Sequence, residues 1–190
     1  MNIVKNYKKK GKKIVLCHGV FDLLHLGHIK HFEEAKKHGD ILIVTVTPDK
    51  YVNKGANRPV FLLQQRMEAL SALNVIDFVA PNKWKSAIET IKILEPNIYC
   101  KGPDYKNNDL DYTKKIHEEK RTVKAIGGNI EYTSKTTVFS SSNILNKFSD
   151  IYTDKQKTII QKINKKYNFK KINKMIDEFK KLKVLVIGET

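Results

Sequence analysis

Short apolar runs alternate with stretches in which apolar residues return every three or four positions. The runs Lys13–Cys17, Ile41–Val46, Val75–Ala80, Asn97–Cys100 and Ile130–Thr133 read as strands. Between them, His28–His38, Leu62–Leu73, Lys85–Leu94 and Thr113–Ile126 carry helical spacing, and Gly127-Gly128 closes the last as a left-handed stop. Strand–helix alternation of this kind builds an α/β domain on a parallel sheet of about five strands with helices on both faces. Ligands of such sheets bind at the carboxyl ends of the strands, which is where Gly19, His25, Thr47, Lys101 and Ser140 are expected to gather.

The pattern changes after about Phe148. Asp154 to Asn173 is rich in lysine, with aliphatic residues every three or four positions, and a further helix is expected from Ile172 to Leu182. This divides the chain into a domain over 1–150, a helical linker or extension over 151–182, and a last apolar run over 183–190. That run, Lys183 to Thr190, reads either as the opening strand of a further domain or as a last edge strand of the first.

With 190 residues and 41% hydrophobic content, the chain can bury a substantial core. The net charge of +16 attracts polyanions, but much of the lysine sits in short scattered runs such as Lys8–Lys10 and in the last forty or so residues, as on solvated faces. No aromatic residues interleave with a basic stripe and no reading helix is evident, so no nucleic-acid partner is expected. Cys17 and Cys100 lack CxxC spacing, which argues against a zinc site or a disulfide framework and suits a reducing cytoplasm. Neither a signal peptide nor a membrane-length apolar segment is read, and no membrane partner is expected.

The densest chemistry lies in Gly19-Val-Phe-Asp-Leu-Leu-His25-Leu-Gly-His28, at a strand–loop–helix corner. Gly19 lets the backbone pass close to a ligand, Gly27 leaves room beside the first helical turn, and the unpaired amides of a helix start attract phosphate oxygens. Histidines three apart on a helical turn point the same way, so two N–H donors meet one phosphoryl group. A metal site from Asp22, His25 and His28 lacks a fourth ligand at usable spacing, so no protein-held metal is expected. His18, His31, His38 and His117 read as ordinary histidines of the kind common on helix surfaces.

The stretch Gly19 to His28 resembles the GxFDxxHxGH signature of the cytidylyltransferase-like nucleotidylyltransferases, a Rossmann-like family. Further segments match in family order: Lys54 and Arg58-Pro59 in a basic loop, Gln65-Arg66 in the next helix, Lys101-Gly102-Pro103-Asp104-Tyr105 after the fourth strand, and Ser140-Ser141-Ser142-Asn143 in a closing loop. The resemblance implies transfer of a nucleotidyl group from a triphosphate to a small polyol or sugar phosphate, with Mg²⁺ carried by the nucleotide, pyrophosphate released, and a homodimer. It assigns His25, His28, Lys54 and Arg66 to catalysis. Nucleotide binding falls to Gly19, Val20, Phe21, Gly27, Lys101, Gly102, Thr136 and Ser140 to Ser142, and acceptor binding to Asp22, Arg58, Trp84 and Asp104. Lys135-Thr136 stands where glycerol-phosphate members carry an arginine.

Trp84 has a counterpart in the glycerol-phosphate cytidylyltransferases, which favours CTP, whereas the wording around Arg58 and Lys101 is nearer the sugar-kinase-fused heptose branch. ATP with a heptose phosphate is therefore the alternative. The last eight residues also resemble the opening strand of ribokinase-like sugar kinases of the phosphofructokinase-B family. From other classes, a non-catalytic polyanion-binding domain remains a rival, while an aminoacyl-tRNA synthetase lacks its KMSKS-like loop here.

Overall fold

The computed structural model describes residues 2–54, 58–105, 115–134, 154–166 and 169–179. Helix α1 (Asn2–Lys9) leads into strand β1 (Ile14–Gly19), followed by α2 (Leu26–Lys36), β2 (Ile41–Val46), α3 (Leu63–Ser71), β3 (Phe78–Pro81), α4 (Ile88–Leu94), β4 (Ile98–Lys101), α5 (Ile116–Ala125) and β5 (Asn129–Tyr132). Two further helices, α6 (Asp154–Lys166) and α7 (Phe169–Phe179), come last. The five strands form one sheet in the order β3-β2-β1-β4-β5. Every pairing is parallel, with Ile14 beside Ile41, Val15 beside Ile98, Ile43 beside Phe78 and Ile98 beside Asn129. The expected Rossmann-like α/β fold is the one present.

Alternation along the central strands explains why both faces are covered. Val15, Cys17, Leu42, Val44 and Val46 point to one side, where Phe32 and Ala35 of α2 and Leu70 of α3 meet them. Ile14, Leu16, Ile41, Ile43 and Tyr99 point to the other, against Ala87 and Ile91 near α4 and Val123 of α5. Helix α1 has no counterpart in the sequence reading. Its Val4 and Tyr7 pack on this second layer, an attachment that a lysine-rich octapeptide shows only once the sheet supplies its partner.

Element ends moved. The third strand was expected over Val75–Ala80, but it starts at Phe78, because residues 74–77 turn to bury Ile76 and to aim the Asp77 carboxylate at the Leu42 amide. The fourth helix starts at Ile88 rather than Lys85, since Asn82 holds residues 82–86 as a folded loop by donating to the Trp84 and Ser86 carbonyls at 2.6 and 2.9 Å. Residues 113 and 114 of the expected fifth helix, the last apolar run over 183–190, and the segment containing Thr136 and Ser140 to Ser142 lie outside the described residues.

The chain separates into two compact units, Met1–Ile144 and Leu145–Thr190. In the second, α6 presents Ile159, Ile160 and Ile163, and α7 presents Met175, Ile176 and Phe179, all exposed. Among the described residues no helix is long and apolar enough to cross a membrane.

Candidate active site

The turn out of β1 shapes the carboxyl edge of the sheet. Gly19 ends the strand so closely under Phe21 that a Cβ there would stand 2.8 Å from the Phe21 ring. Phe21 takes a left-handed backbone angle of φ 50, which turns its ring into the core against Phe32 and sets its edge against His28, with centroids 5.5 Å apart. The chain then enters α2 through His25, whose extended backbone caps the helix and whose carbonyl accepts from the His28 and Ile29 amides. The helix thus begins two residues before the expected His28. Both histidines therefore flank its first turn, where Leu26 and Gly27 carry amides without intrahelical acceptors.

The two imidazoles stack, with centroids 3.9 Å apart and planes 28° from parallel. Their Nδ1 atoms are buried and have no hydrogen-bond partner. Burial lowers the pKa of His25. For His28, burial and then the charges of His25, His31 and Lys54 lower it to about 3. The pair is therefore neutral at ordinary pH without an anion, and each ring keeps one N–H to donate. Lys54 keeps much of its surface open, yet loss of water around its ammonium, and then the Arg58 charge, lower its pKa, partly offset by Asp22.

Other expected ligands are already engaged. Arg66 was expected to offer its fork to phosphate, but it is 1% exposed and works as an internal brace. Its Nε donates to the Phe61 carbonyl at 2.9 Å, Nη1 to the Val20 carbonyl, and Nη2 to the Thr47 carbonyl at 2.8 Å and the Asp49 carboxylate at 2.6 Å. Three loop carbonyls that no strand or helix satisfies are the physical reason: only a guanidinium reaches all of them from one side chain. Asp22, expected to touch the acceptor, is likewise enclosed and accepts from Arg58 Nε, the Val60 amide and the Phe61 amide at 2.5, 2.7 and 3.0 Å.

Lys101 ends β4 with 6% exposure, 3.2 Å from Glu119 and beside the Tyr99 and Tyr105 rings, rather than open toward a nucleotide. Gly102 has open space where a side chain would be. Asp104 falls in a short 3₁₀ turn over Pro103–Tyr105, and its side chain lies outside the described residues. Trp84 is half-buried in the loop that Asn82 holds.

Several residues of this edge escaped the sequence reading. His18 stands on β1 with Nδ1 3.0 Å from Thr45 Oγ1 and Nε2 3.3 Å from Thr47 Oγ1, and burial lowers its pKa to about 4. His31 sits one turn beyond His28 with Nδ1 3.0 Å from Thr133 Oγ1, and burial followed by the Lys101 charge brings it to about 4 as well. Glu34 receives the Ser134 amide and hydroxyl at 2.9 Å, so α2 ties down the chain just past β5. Glu119 was the readable case: with Ile116 and Val123 it occupies a helical core stripe, and a carboxylate there needs buried partners. It has them in the Ala87 amide, the Tyr99 hydroxyl and Lys101.

The cytidylyltransferase-like family matches residues 16–148, a span that takes in the histidine pair, the Lys54 loop, the β4 end and the closing serines. The chain belongs to that family. Among its relatives is the bifunctional protein HldE of Sulfurimonas denitrificans, 42% identical over 120 residues, which are 62% of this chain and 25% of that protein. The bifunctional protein HldE of Blochmanniella pennsylvanica is 37% identical over 148 residues, 77% of this chain and 29% of the relative. The matched part thus spans only about a quarter to three-tenths of these proteins. A solved lipopolysaccharide core biosynthesis protein from Thermoplasma volcanium superposes with a TM-score of 0.56 at 29% identity, covering 67% of this chain and all of that one. The likeness thus extends to one solved protein about as short as this chain's first unit and, over part of their length, to much longer relatives.

Proposed function

We propose that the chain is a nucleotidylyltransferase that joins the α-phosphorus of ATP to the phosphate of a small phosphorylated sugar of heptose size, releasing pyrophosphate. The observation that carries the reading is the stacked His25–His28 pair at the start of α2, with the Nδ1 atom of each ring buried and unpartnered. An unmet buried donor or acceptor is costly, and two of them side by side at a helix start suit a polyphosphate.

The chemistry asks little else of the protein. A sugar phosphate arrives ionised, so its oxygen attacks the α-phosphorus while the bond to the β-phosphate oxygen breaks and pyrophosphate departs. The work left is alignment of two anions and neutralisation of charge building on the α-phosphoryl oxygens and the leaving group. In the proposal His25 and His28 donate to those oxygens, the first-turn amides of α2 add their dipoles, and Lys54 stands between nucleotide and acceptor. Mg²⁺ comes with the triphosphate and screens its charge. The imidazole and ammonium donors of His25, His28 and Lys54 suit an anion that would bring its own Mg²⁺.

The nucleotide is where the proposal departs from the expectation of CTP. Trp84 favours CTP at the level of sequence. The relatives named bifunctional, far longer than the matched segment, fit the heptose branch in which such a domain is fused to a sugar kinase, and that branch implies ATP. The Thermoplasma protein, assigned to lipopolysaccharide core biosynthesis, supports a sugar acceptor. The test is pyrophosphate release from ATP or CTP with Mg²⁺ and a panel of polyol and heptose phosphates, beside a His28→Ala control. Faster turnover of CTP reverses the choice of nucleotide, and equal silence of both proteins across the panel refutes the activity.

A further inference from the structure

The second unit carries apolar surface and charge that nucleotidyl transfer does not use. Six large apolar side chains of its two helices stand in solvent: Ile159, Ile160 and Ile163 on α6, and Met175, Ile176 and Phe179 on α7. Along α6, a turn of about 100° per residue sets Lys155, Lys162 and Lys166 in one stripe, with Ile159, Ile163 and Ile160 following round the helix beside it. Along α7, Met175, Ile176 and Phe179 share one face, and Asp177 and Glu178 turn to the other.

Charge is distributed as unevenly as hydropathy. From Asp154 to Lys183 the sequence holds eleven lysines against three acidic residues, so half of the chain's net charge of +16 lies on this stretch. That balance selects among occupants of the apolar faces. A second copy would set like charge against like, and a nucleic acid offers no hydrocarbon for isoleucine and methionine to enter. An anionic bilayer supplies both partners: acyl chains for the aliphatic faces, and headgroup phosphates for lysines whose methylene arms stay in the apolar layer. The acidic residues of α7, on the side away from Met175, Ile176 and Phe179, would then face water. The expectation of no membrane partner came from spanning length, which no helix among the described residues has and which a helix lying in the interface plane does not need.

We propose that α6 and α7 attach the chain reversibly to an anionic lipid surface, each laying its apolar face into the headgroup layer while the lysines beside it pair with lipid phosphates. The attachment is independent of the nucleotidyl-transfer reading, since it draws on none of the residues placed at the candidate active site.

The experiment sediments the full chain with sucrose-loaded vesicles of phosphatidylcholine, alone or with about 30% phosphatidylglycerol, at about 0.1 and 0.5 M salt. Partitioning should rise at least about tenfold with the anionic lipid and fall about tenfold at the higher salt. Ile163→Gln combined with Phe179→Gln should remove about nine-tenths of the binding, and Lys155→Gln combined with Lys162→Gln should weaken it about tenfold. All four positions are exposed, so the melt read by Trp84, the single tryptophan, should match the wild type in both double variants. A nitrobenzoxadiazole dye on Ile176→Cys should shift to the blue when anionic vesicles are added, whereas the same dye on Glu178→Cys, across α7, should not. Cys17 and Cys100 are buried and escape labelling. Absence of binding to anionic vesicles, undiminished binding of the Ile163 and Phe179 double variant, or an equal blue shift at both dye positions overturns the proposal. Self-association that this double variant abolishes, without vesicle binding by the wild type, also overturns it and gives the faces to a second copy. Vesicle binding is read without turnover, so its failure and a failure of pyrophosphate release are separate results.

Discussion

His28 and Arg66 both belong to the matched segments, and the structure separates their work. His28 stacks on His25 with an unpartnered nitrogen, whereas the fork of Arg66 is spent on Val20, Phe61, Thr47 and Asp49. Replacing His28 by alanine should lower the pyrophosphate-release rate by about 10²- to 10³-fold. Arg66→Ala strands the Val20, Phe61 and Thr47 carbonyls, and should cost about 3–5 kcal/mol of stability in urea titration. Arg66→Lys should recover little of that, because an ammonium lacks the fork. Full stability in Arg66→Ala with lost turnover would show that the arginine serves substrate instead.

Enclosed histidines also set a pH dependence. His18 and His31 have pKa values lowered to about 4 and His28 to about 3, chiefly by burial. The unfolded chain, with ordinary histidines near 6.5, binds more protons than the folded one throughout that interval. Stability from these residues is thus fully present above about pH 6.5 and lost as pH falls toward 4 and then 3. The slope is of order 1.4 kcal/mol per pH unit for each histidine. Thermal melts at pH 7, 6 and 5 should show a falling midpoint, with a shallower fall in His31→Gln. A flat profile would mean these rings titrate normally.

Among the elements, α5 and β4 illustrate how one polar residue in an apolar stripe fixes a contact. Glu119 joins the Ala87 amide, the Tyr99 hydroxyl and Lys101 across α4, β4 and α5. Glu119→Ala leaves Lys101 buried beside two tyrosine rings without its carboxylate, and should destabilise by about 3–5 kcal/mol. Adding Lys101→Met should return much of the loss if the broken Lys101–Glu119 ion pair is the cause, and a double mutant as unstable as the single would place the damage in packing. The strand–loop corner is equally constrained. Phe21 is wedged between Gly19, His28 and Phe32, so Gly19→Ala should cost about 1–3 kcal/mol through crowding.

For the whole molecule, a ligand that binds only the folded chain adds about 2.7 kcal/mol at one hundred times its Kd. Mg-ATP should therefore raise the melting midpoint more than Mg-CTP at equal concentration, and the rise should shrink in His28→Ala. A larger shift with CTP would favour the glycerol-phosphate branch. The expected homodimer is a proposal of the same scale, checked by sedimentation of the full chain.

Much of this architecture was legible in residue order because its determinants are local. Five apolar runs and the helices between them were visible in periodicity, since a strand buried on both faces must be apolar throughout and a covering helix must repeat every three or four residues. The glycine bend and the spacing of His25 and His28 likewise survive as local geometry. Tertiary structure alone decided the attachment of α1, the late starts of β3 and α4, and the division of the charged groups. Asp22, Arg66 and Lys101 look like ligands in sequence, yet each meets partners 17 to 46 residues away that satisfy it internally. Arg58 shares that fate on one arm and escapes it on the other. Whether a charged side chain serves the fold or a ligand depends on which distant acceptors the closed sheet brings within about 3 Å, and no neighbour along the chain carries that information.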